Sequence, residues 1–171
     1  EEHDQFLMET LTTARHQVEI VTPWLRLRWA KESGALDHMA AAVKRGVKVI
    51  VYTDLGFNTA ASQQQSKSAA VAEFKEALGA LAELEIELRI VNKVHSKIVM
   101  GDGELLCNGS FNWLSAQRYG EFKNQESSTV YRGPDIGGEG GELDRCRAIL
   151  ATALVAEARL KKLDLLAAVG A

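Results

Sequence analysis

The segment between His95 and Asn112 constrains the fold of this 171-residue chain more than any other part of the sequence. Polar and apolar residues alternate from Ile86 to Val91, and β-formers follow from Val94 to Met100, so both segments are predicted to be strands. Gly101-Asp102-Gly103 then supplies an Asp-Gly turn, which favours the positive φ angles of a tight hairpin. We therefore predict that a further strand, from Glu104 to Cys107, returns antiparallel.

This hairpin is predicted to gather polar side chains suited to phosphate chemistry. Side chains two positions apart on a strand lie on one face, so His95 and Lys97 can converge on one phosphoryl group. The returning strand delivers Ser110 and Asn112 beside them, and Gly109 lets the backbone approach a ligand closely. In phosphoryl transfer His95 would be the nucleophile, Lys97 a fixed positive charge, and Ser110 and Asn112 hydrogen-bond donors. This scheme requires no metal ion and no cofactor.

The order of these residues resembles the motif of the phospholipase D superfamily, whose members cleave phosphodiesters through a phosphohistidine. The matching positions are His95, Lys97, Asp102, Gly109-Ser110 and Asn112. The resemblance covers most of the chain and is strongest from Val94 to Val130. The motif occurs once, and the sequence most resembles the small bacterial endonucleases of this superfamily.

Two acidic residues receive roles from this resemblance. A nucleophilic imidazole needs an acceptor on its other nitrogen, and the resemblance implies that Glu126 fills this role for His95. Asp102 belongs to the family's catalytic pattern, but its place at the turn implies an architectural role, bonding turn amides, more than direct chemistry. The alternative for Glu126 is a simple exposed strand residue.

A helix between two strands is predicted in the first half of the chain. Residues 5–16 carry apolar positions at helical spacing and lead into the strand Val18–Thr22. Leu36–Arg45 is predicted to be a second helix that ends at Gly46, before the apolar strand 47–53. Such a βαβ unit favours parallel pairing of its two strands.

The remaining segments complete an α/β fold. Residues 56–68 are predicted to be a loop, 69–81 a helix, and 141 to about 168 a long C-terminal helix. The whole predicts a mixed, largely parallel β-sheet sandwiched by helices on both faces, which is also the fold that the resemblance to phospholipase D implies. We expect residues 1–171 to form a single catalytic domain. Because the chain does not begin with Met, we expect either a domain excised from a larger parent protein, whose other domains would then be partners, or a processed chain.

Composition and charge narrow the classes of partner. A net charge of −3 argues against a protein that coats nucleic acid, although an enzyme needs only a local basic patch. Trp24 and Arg26 could hold single-stranded nucleic acid by stacking and charge, and Arg118 and Lys123 lie near the motif. The alternative for these residues is a half-buried loop with solvated cations. Apolar runs are short and no signal segment is recognisable, so we expect a cytoplasmic protein without a membrane partner.

One motif per chain predicts a homodimer. In the superfamily that the chain resembles, one His attacks phosphorus and a second His protonates the leaving oxygen. In-line displacement requires these groups on opposite sides of the phosphorus, so two copies of His95 would meet across a two-fold axis in a composite active site.

The predicted function is therefore metal-independent cleavage of DNA or RNA. Two alternatives remain open at this stage. One is a phospholipase or transphosphatidylase with the same chemistry, because one fold hosts many substrates. The other is a catalytically silent module that binds nucleic acid and dimerises.

Overall fold

Six strands form one sheet in the part of the chain that the structure, a computed structural model, describes: residues 2–63, 65–116 and 126–165. The strands are β1 Gln17–Val21, β2 Lys48–Asp54, β3 Glu87–Val91, β4 Lys97–Gly101, β5 Leu105–Gly109 and β6 Ser128–Arg132. The helices are α1 Glu2–Thr13, α2 Leu27–Glu32, α3 Ala35–Lys44, α4 Leu55–Thr59, α5 Lys67–Ala82, α6 Glu142–Thr152 and α7 Glu157–Lys162. A 3₁₀ turn spans Pro134–Ile136.

The sheet changes direction between β1 and β4. Its strand order is β3-β2-β1-β4-β5-β6, with parallel pairing on the β3-β2-β1 side and antiparallel pairing from β1 through β4 and β5 to β6. Four strands, β1, β2, β3 and β5, therefore run in one direction, and β4 and β6 run in the other. This arrangement confirms the predicted mixed, largely parallel sheet.

Helices cover both faces of the sheet. Alternate strand residues such as Ile20, Val51 and Val99 pack into a core with apolar residues of α1, α2, α3 and α5. The residues between them, such as Val21 and Ile98, form a second core on the opposite face with Leu143 and Leu150 of α6. The predicted sandwich of helices is thus confirmed. None of the described helices combines the length and apolar character that a membrane-spanning segment needs.

A buried ionic contact attaches α6 to its face of the sheet. Arg147 contacts the carboxylate of Glu19, a β1 residue that is 1% exposed, with nitrogen–oxygen distances of 2.6 and 2.7 Å. The Tyr52 hydroxyl donates to the same carboxylate at 3.1 Å. Burial, and then the neighbouring Glu19 carboxylate, raise the pKa of Tyr52 to about 12.

The predicted hairpin forms, with one correction at its beginning. Asp102 and Gly103 have φ angles of 47° and 77°, as the Asp-Gly turn predicts. The predicted strand from Val94 is wrong in its first residues, because β4 begins at Lys97 and leaves His95 in the preceding segment. The backbone N–H of Val94 donates to the carboxylate of Asp54 at 2.9 Å instead of to a neighbouring strand.

Two further predictions of secondary structure are corrected. The predicted loop 56–68 begins with the short helix α4, because the Asp54 carboxylate caps it by accepting from the Phe57 N–H at 3.0 Å. The predicted long C-terminal helix is wrong, because residues 153–156 separate α6 from α7. In this break Ala153 accepts from the Asn92 N–H, and the Val155 N–H donates to Ile90, so the chain bonds to the open edge of β3.

Asp102 ties the hairpin to the beginning of β1. Its carboxylate oxygens accept from the backbone N–H groups of Arg15, His16 and Gln17 at 2.7, 2.8 and 2.9 Å. Burial acts to raise the pKa of this carboxyl, but the three amides outweigh burial and hold the pKa below its ordinary value. The ionised carboxylate therefore stabilises the junction of α1, β1 and the hairpin.

We expect Asp102→Asn to lower the free energy of unfolding by about 1–3 kcal/mol at pH 7, because an amide cannot accept all three bonds. Asparagine tolerates the positive φ at this position, so the turn itself is preserved. Since the folded-state pKa is lowered, the stabilisation is complete above about pH 4 and is lost as the pH falls through the folded-state pKa. Urea unfolding at pH 7 and pH 3 measures both effects.

The matched control is Glu104→Gln, an exposed carboxylate of the same turn, which should leave stability nearly unchanged. An equal loss for the two variants at pH 7, or a loss for Asp102→Asn that persists undiminished at pH 3, would contradict this account of the carboxylate.

Candidate active site

The predicted motif residues other than Asp102 lie at one edge of the sheet, where β1 and β2 end and β4 begins. This placement follows from strand direction, because β4 is antiparallel to β1 and its first residue, Lys97, lies beside the end of β1. Lys97 also pairs with Gly109, the last residue of β5. Loops after β1, β2 and β5 and the segment before β4 therefore converge.

His95 and Lys97 form the centre of the site. The Lys97 Nζ atom lies 3.2 Å from both ring nitrogens of His95, and the His95 side chain is exposed to solvent. Lys97 itself is 7% exposed; burial lowers its pKa, while the carboxylate of Glu126 acts in the opposite direction. The arrangement presents an imidazole to solvent with an ammonium group beside it, as attack on an anionic phosphodiester requires.

Two aromatic rings contact the His95 imidazole. The Trp24 ring lies edge-on to it with 5.2 Å between centroids, and the Phe57 ring lies at 5.5 Å. Trp24 and Phe57 also contact each other, with centroids 4.7 Å apart. The Lys97 Nζ atom lies 5.6 Å from the Trp24 centroid, within the range of a cation–π contact. Trp24 thus lies beside the motif, and its predicted role in substrate binding stays a prediction, whereas Phe57 was not among the predicted site residues.

Buried polar side chains hold these loops together. The Asp54 carboxylate, 1% exposed, joins the Phe57 N–H to the Val94 N–H, which precedes His95 in the chain. Asn58 is fully buried; its amide donates to the carbonyls of Pro23 and Asp54 and accepts from the Leu25 N–H. Asp54 and Asn58 therefore position the segments that carry Trp24, Phe57 and His95.

Sequence reasoning missed Asp54, Phe57 and Asn58, because Asp54 lies between the predicted strand 47–53 and the predicted loop 56–68, and the other two residues lie in that loop. A usable signal existed, since Asp54 follows a strongly apolar strand and stands three residues before Phe57, at N-cap spacing. The sequence could indicate a cap there, but not that the same carboxylate would reach Val94.

The Gly-Ser segment is joined to the beginning of β6. The Ser127 N–H donates to Ser110 Oγ at 3.1 Å, and Ser110 Oγ donates to the Ser127 carbonyl at 3.3 Å. A Cβ added at Gly109 would lie 2.1 Å from Ser128 Oγ, so this approach requires glycine. The Asn112 Oδ1 atom is buried and has no hydrogen-bond donor among the described residues.

Glu126 lies within electrostatic reach of Lys97 and of His3. Its charge acts to raise the pKa of both groups, although burial, the larger effect, lowers each. The described residues show no hydrogen bond between Glu126 and His95, so the predicted acceptor role stays a prediction. The sequence gave no reason to select His3. Its ring stacks on the Phe111 ring with 4.5 Å between centroids, and its Nε2 atom lies 2.9 Å from Ser128 Oγ.

The other predicted site residues are placed as follows. Asp102 is at the opposite end of β4 from the motif and bonds backbone amides. Arg26 lies near Trp24, but its guanidinium donates to Asn58 Oδ1 and pairs with Glu73 at 3.7 Å, so a substrate would have to compete for it. Arg118 and Lys123 lie outside the described residues.

A metal site is not found among the residues that the structure describes: no three His, Cys, Asp or Glu side chains group together there in a way that could hold an ion. The two cysteines, Cys107 and Cys146, are free thiols.

Comparisons with known proteins agree with this fold. Residues 7–136 match the family described as cardiolipin synthase, PLD-like domain. No curated protein is similar enough in sequence to count as a match. Among solved structures, Nuc from Salmonella typhimurium, a phospholipase D family member, is 21% identical, with a TM-score of 0.63 and 88% of each chain covered.

Two more distant structures share the fold. TrmBL2, an archaeal chromatin protein with a novel mode of DNA binding, is 14% identical, with a TM-score of 0.53, covering 91% of this chain and 51% of that one. Phosphatidylserine synthase from Haemophilus influenzae is also 14% identical, with a TM-score of 0.57, covering 78% of this chain and 32% of that one. The family match spans well over half of the sequence, and the chain therefore belongs to the phospholipase D superfamily of PLD-like domains.

Proposed function

We propose that this protein is a metal-independent phosphodiesterase that cleaves DNA or RNA through a phosphohistidine on His95. The observation that carries the proposal is the exposed imidazole with the Lys97 ammonium 3.2 Å away, at the edge where the family motif converges. An ammonium can donate but not accept, so a neutral ring offers it one unprotonated nitrogen. Neutral imidazole is also the nucleophilic form.

The proposed reaction has two displacement steps. A ring nitrogen of His95 attacks phosphorus, forms the P–N bond and breaks the P–O bond to the leaving oxygen, while Lys97 offsets charge on the non-bridging oxygens. A second imidazole protonates the leaving oxygen and then removes a proton from the water that breaks the P–N bond. The side-chain NH2 group of Asn112, and the Ser110 hydroxyl once it releases the Ser127 carbonyl, are proposed to donate hydrogen bonds that orient the phosphoryl group.

The second imidazole is proposed to be His95 of another copy of the chain. The motif occurs once in the sequence, and the exposure of the His95 ring leaves it accessible to a partner. A homodimer with the site on its two-fold axis would place the two rings on opposite sides of phosphorus. The missing acceptor for His95 among the described residues also leaves room for Glu126 to engage the ring only in the assembled site.

Lipid substrates form the second candidate class. The family description and the fold likeness to phosphatidylserine synthase support a phospholipase or transphosphatidylase. Nucleic acid is favoured by the two aromatic rings beside His95, which suit planar bases better than a flexible acyl chain. The fold likeness to a chromatin protein supports a silent DNA-binding module. Such a module, however, would not need the paired His95 and Lys97.

The first test is cleavage of labelled single- and double-stranded DNA and RNA in EDTA. We expect EDTA-resistant cleavage by the wild type and a loss of at least about 1,000-fold in His95→Ala, because the variant lacks the nucleophile. The matched control is His16→Ala, an exposed histidine at the other end of β1, which should keep full activity. Unchanged cleavage by His95→Ala would exclude the phosphohistidine.

The composite site is tested by mixing subunits. Wild type and His95→Ala are unfolded together, refolded at several ratios and assayed. If each site uses two copies of His95, activity falls as the square of the wild-type fraction, since only wild-type pairs are complete. A linear fall, or a monomer by light scattering that is fully active, would contradict the composite site.

The lowered pKa of Lys97 predicts that kcat/KM for cleavage declines at alkaline pH. Burial, opposed by Glu126, lowers the Lys97 pKa, so its charge is lost at a pH below about 10.4, the value for free lysine. We expect cleavage to decline on this limb and expect the decline to move to higher pH in Lys97→Arg, whose guanidinium stays charged. The measurement is kcat/KM from pH 7 to 11 for both proteins, each normalised to its own maximum. Coincident limbs would assign the decline to another group.

A further inference from the structure

The site contains an aromatic surface that phosphate chemistry does not need. Trp24 and Phe57 are both partly exposed, and each ring lies beside the His95 imidazole, with centroids 5.2 and 5.5 Å away. Phosphate groups are recognised by charge and hydrogen bonds, which Lys97 and its neighbours supply. Partly exposed apolar rings at the same point offer a surface for a flat apolar group directly next to a bound phosphate.

The two rings act as one surface. Their centroids are 4.7 Å apart with 42° between the planes, so they already contact each other and nothing can insert between them. A planar group would have to lie on the outer side of the pair. Asp54 and Asn58, both buried and bonded to the backbone around these rings, hold the surface in place before any substrate arrives.

We infer that Trp24 and Phe57 form a stacking platform for the nucleobase next to the scissile phosphate, and that the substrate is single-stranded or locally unpaired nucleic acid. The inference rests on the proposed nuclease function and names its substrate class. In a duplex each base face is covered by its neighbours, so a base reaches the platform only where the strand is unstacked.

A quaternary ammonium headgroup is the competing ligand for an aromatic surface. The charge at the site disfavours it. The Lys97 ammonium already lies 5.6 Å from the Trp24 centroid, so a second cation at the same ring would be repelled. A neutral base beside an anionic phosphate matches both the rings and the ammonium.

The test removes the base from the substrate and the rings from the protein. Single-stranded oligonucleotides carry a tetrahydrofuran abasic residue on one or the other side of the cleaved bond. We expect kcat/KM of the wild type to fall about tenfold when the stacked base is missing, and the matching duplex to be cut at least about tenfold more slowly. On the intact strand, kcat/KM of Trp24→Leu and of Phe57→Leu should be lower than that of the wild type by a similar factor. On the abasic strand, kcat/KM of these variants should equal that of the wild type.

Two variants serve as controls. Phe57→Tyr keeps an aromatic ring and should keep the abasic effect. Trp29→Leu removes a tryptophan of α2 whose ring contacts Arg28, and it should behave as the wild type. Thermal melting of each variant shows that it is folded.

The possible outcomes separate this inference from the proposed function. Equal rates on intact and abasic strands, or the same loss in Trp24→Leu on both, would mean that the rings only pack against His95, although the protein is a nuclease. If nothing is cut, binding of the same oligonucleotides decides: about tenfold weaker binding of the abasic strand supports the platform, and equal binding overturns it. Trp24-dependent release of choline from phosphatidylcholine vesicles would overturn it in favour of a headgroup site.

Discussion

The active-site edge of this protein depends on one buried carboxylate. Asp54 ends β2, caps α4 through the Phe57 N–H and bonds the Val94 N–H of the segment before β4. Burying a carboxylate is costly unless its oxygens are hydrogen-bonded, and here each oxygen accepts a hydrogen bond from a backbone N–H group. Because His95 lies outside the sheet ladder, this bond replaces strand pairing as the constraint on the backbone that carries the His95 side chain.

The change of strand direction in the sheet explains why the site has two kinds of residue. At this edge β1 is followed by the segment that carries Trp24, and β2 is followed directly by α4, which carries Phe57. The antiparallel half supplies the charged and hydrogen-bonding groups, because β4 begins and β5 ends at the same edge, with Lys97 paired to Gly109. The aromatic surface and the polar motif residues are therefore neighbours as a consequence of topology, since β1 lies between the two halves of the sheet.

The hairpin and the helices with clear periodicity could be predicted because their signals are local. Asp102-Gly103 needs only its own backbone preferences to form the turn, and the alternation of β1, β2 and β4 residues determines which of them face each core. The prediction of a long C-terminal helix failed because the helix is interrupted at residues 153–156. Backbone groups of this segment form hydrogen bonds with the edge of β3, and these bonds override the helical tendency of alanine. A single sequence does not indicate which strand will lie at the edge of the sheet with backbone groups available for such bonds.

By itself, the sequence determined the residue types of the site and their approximate order in space. The Asp-Gly turn and the strands on either side of it are local signals, and they are sufficient to bring Lys97 and the Gly-Ser segment to the same end of the hairpin. Only the tertiary structure decided that Phe57 would stand beside Trp24, that Arg26 would pair with Glu73, and that Asp54 would bond Val94. These contacts join segments far apart in sequence, and such contacts arise only when the sheet order brings their ends together.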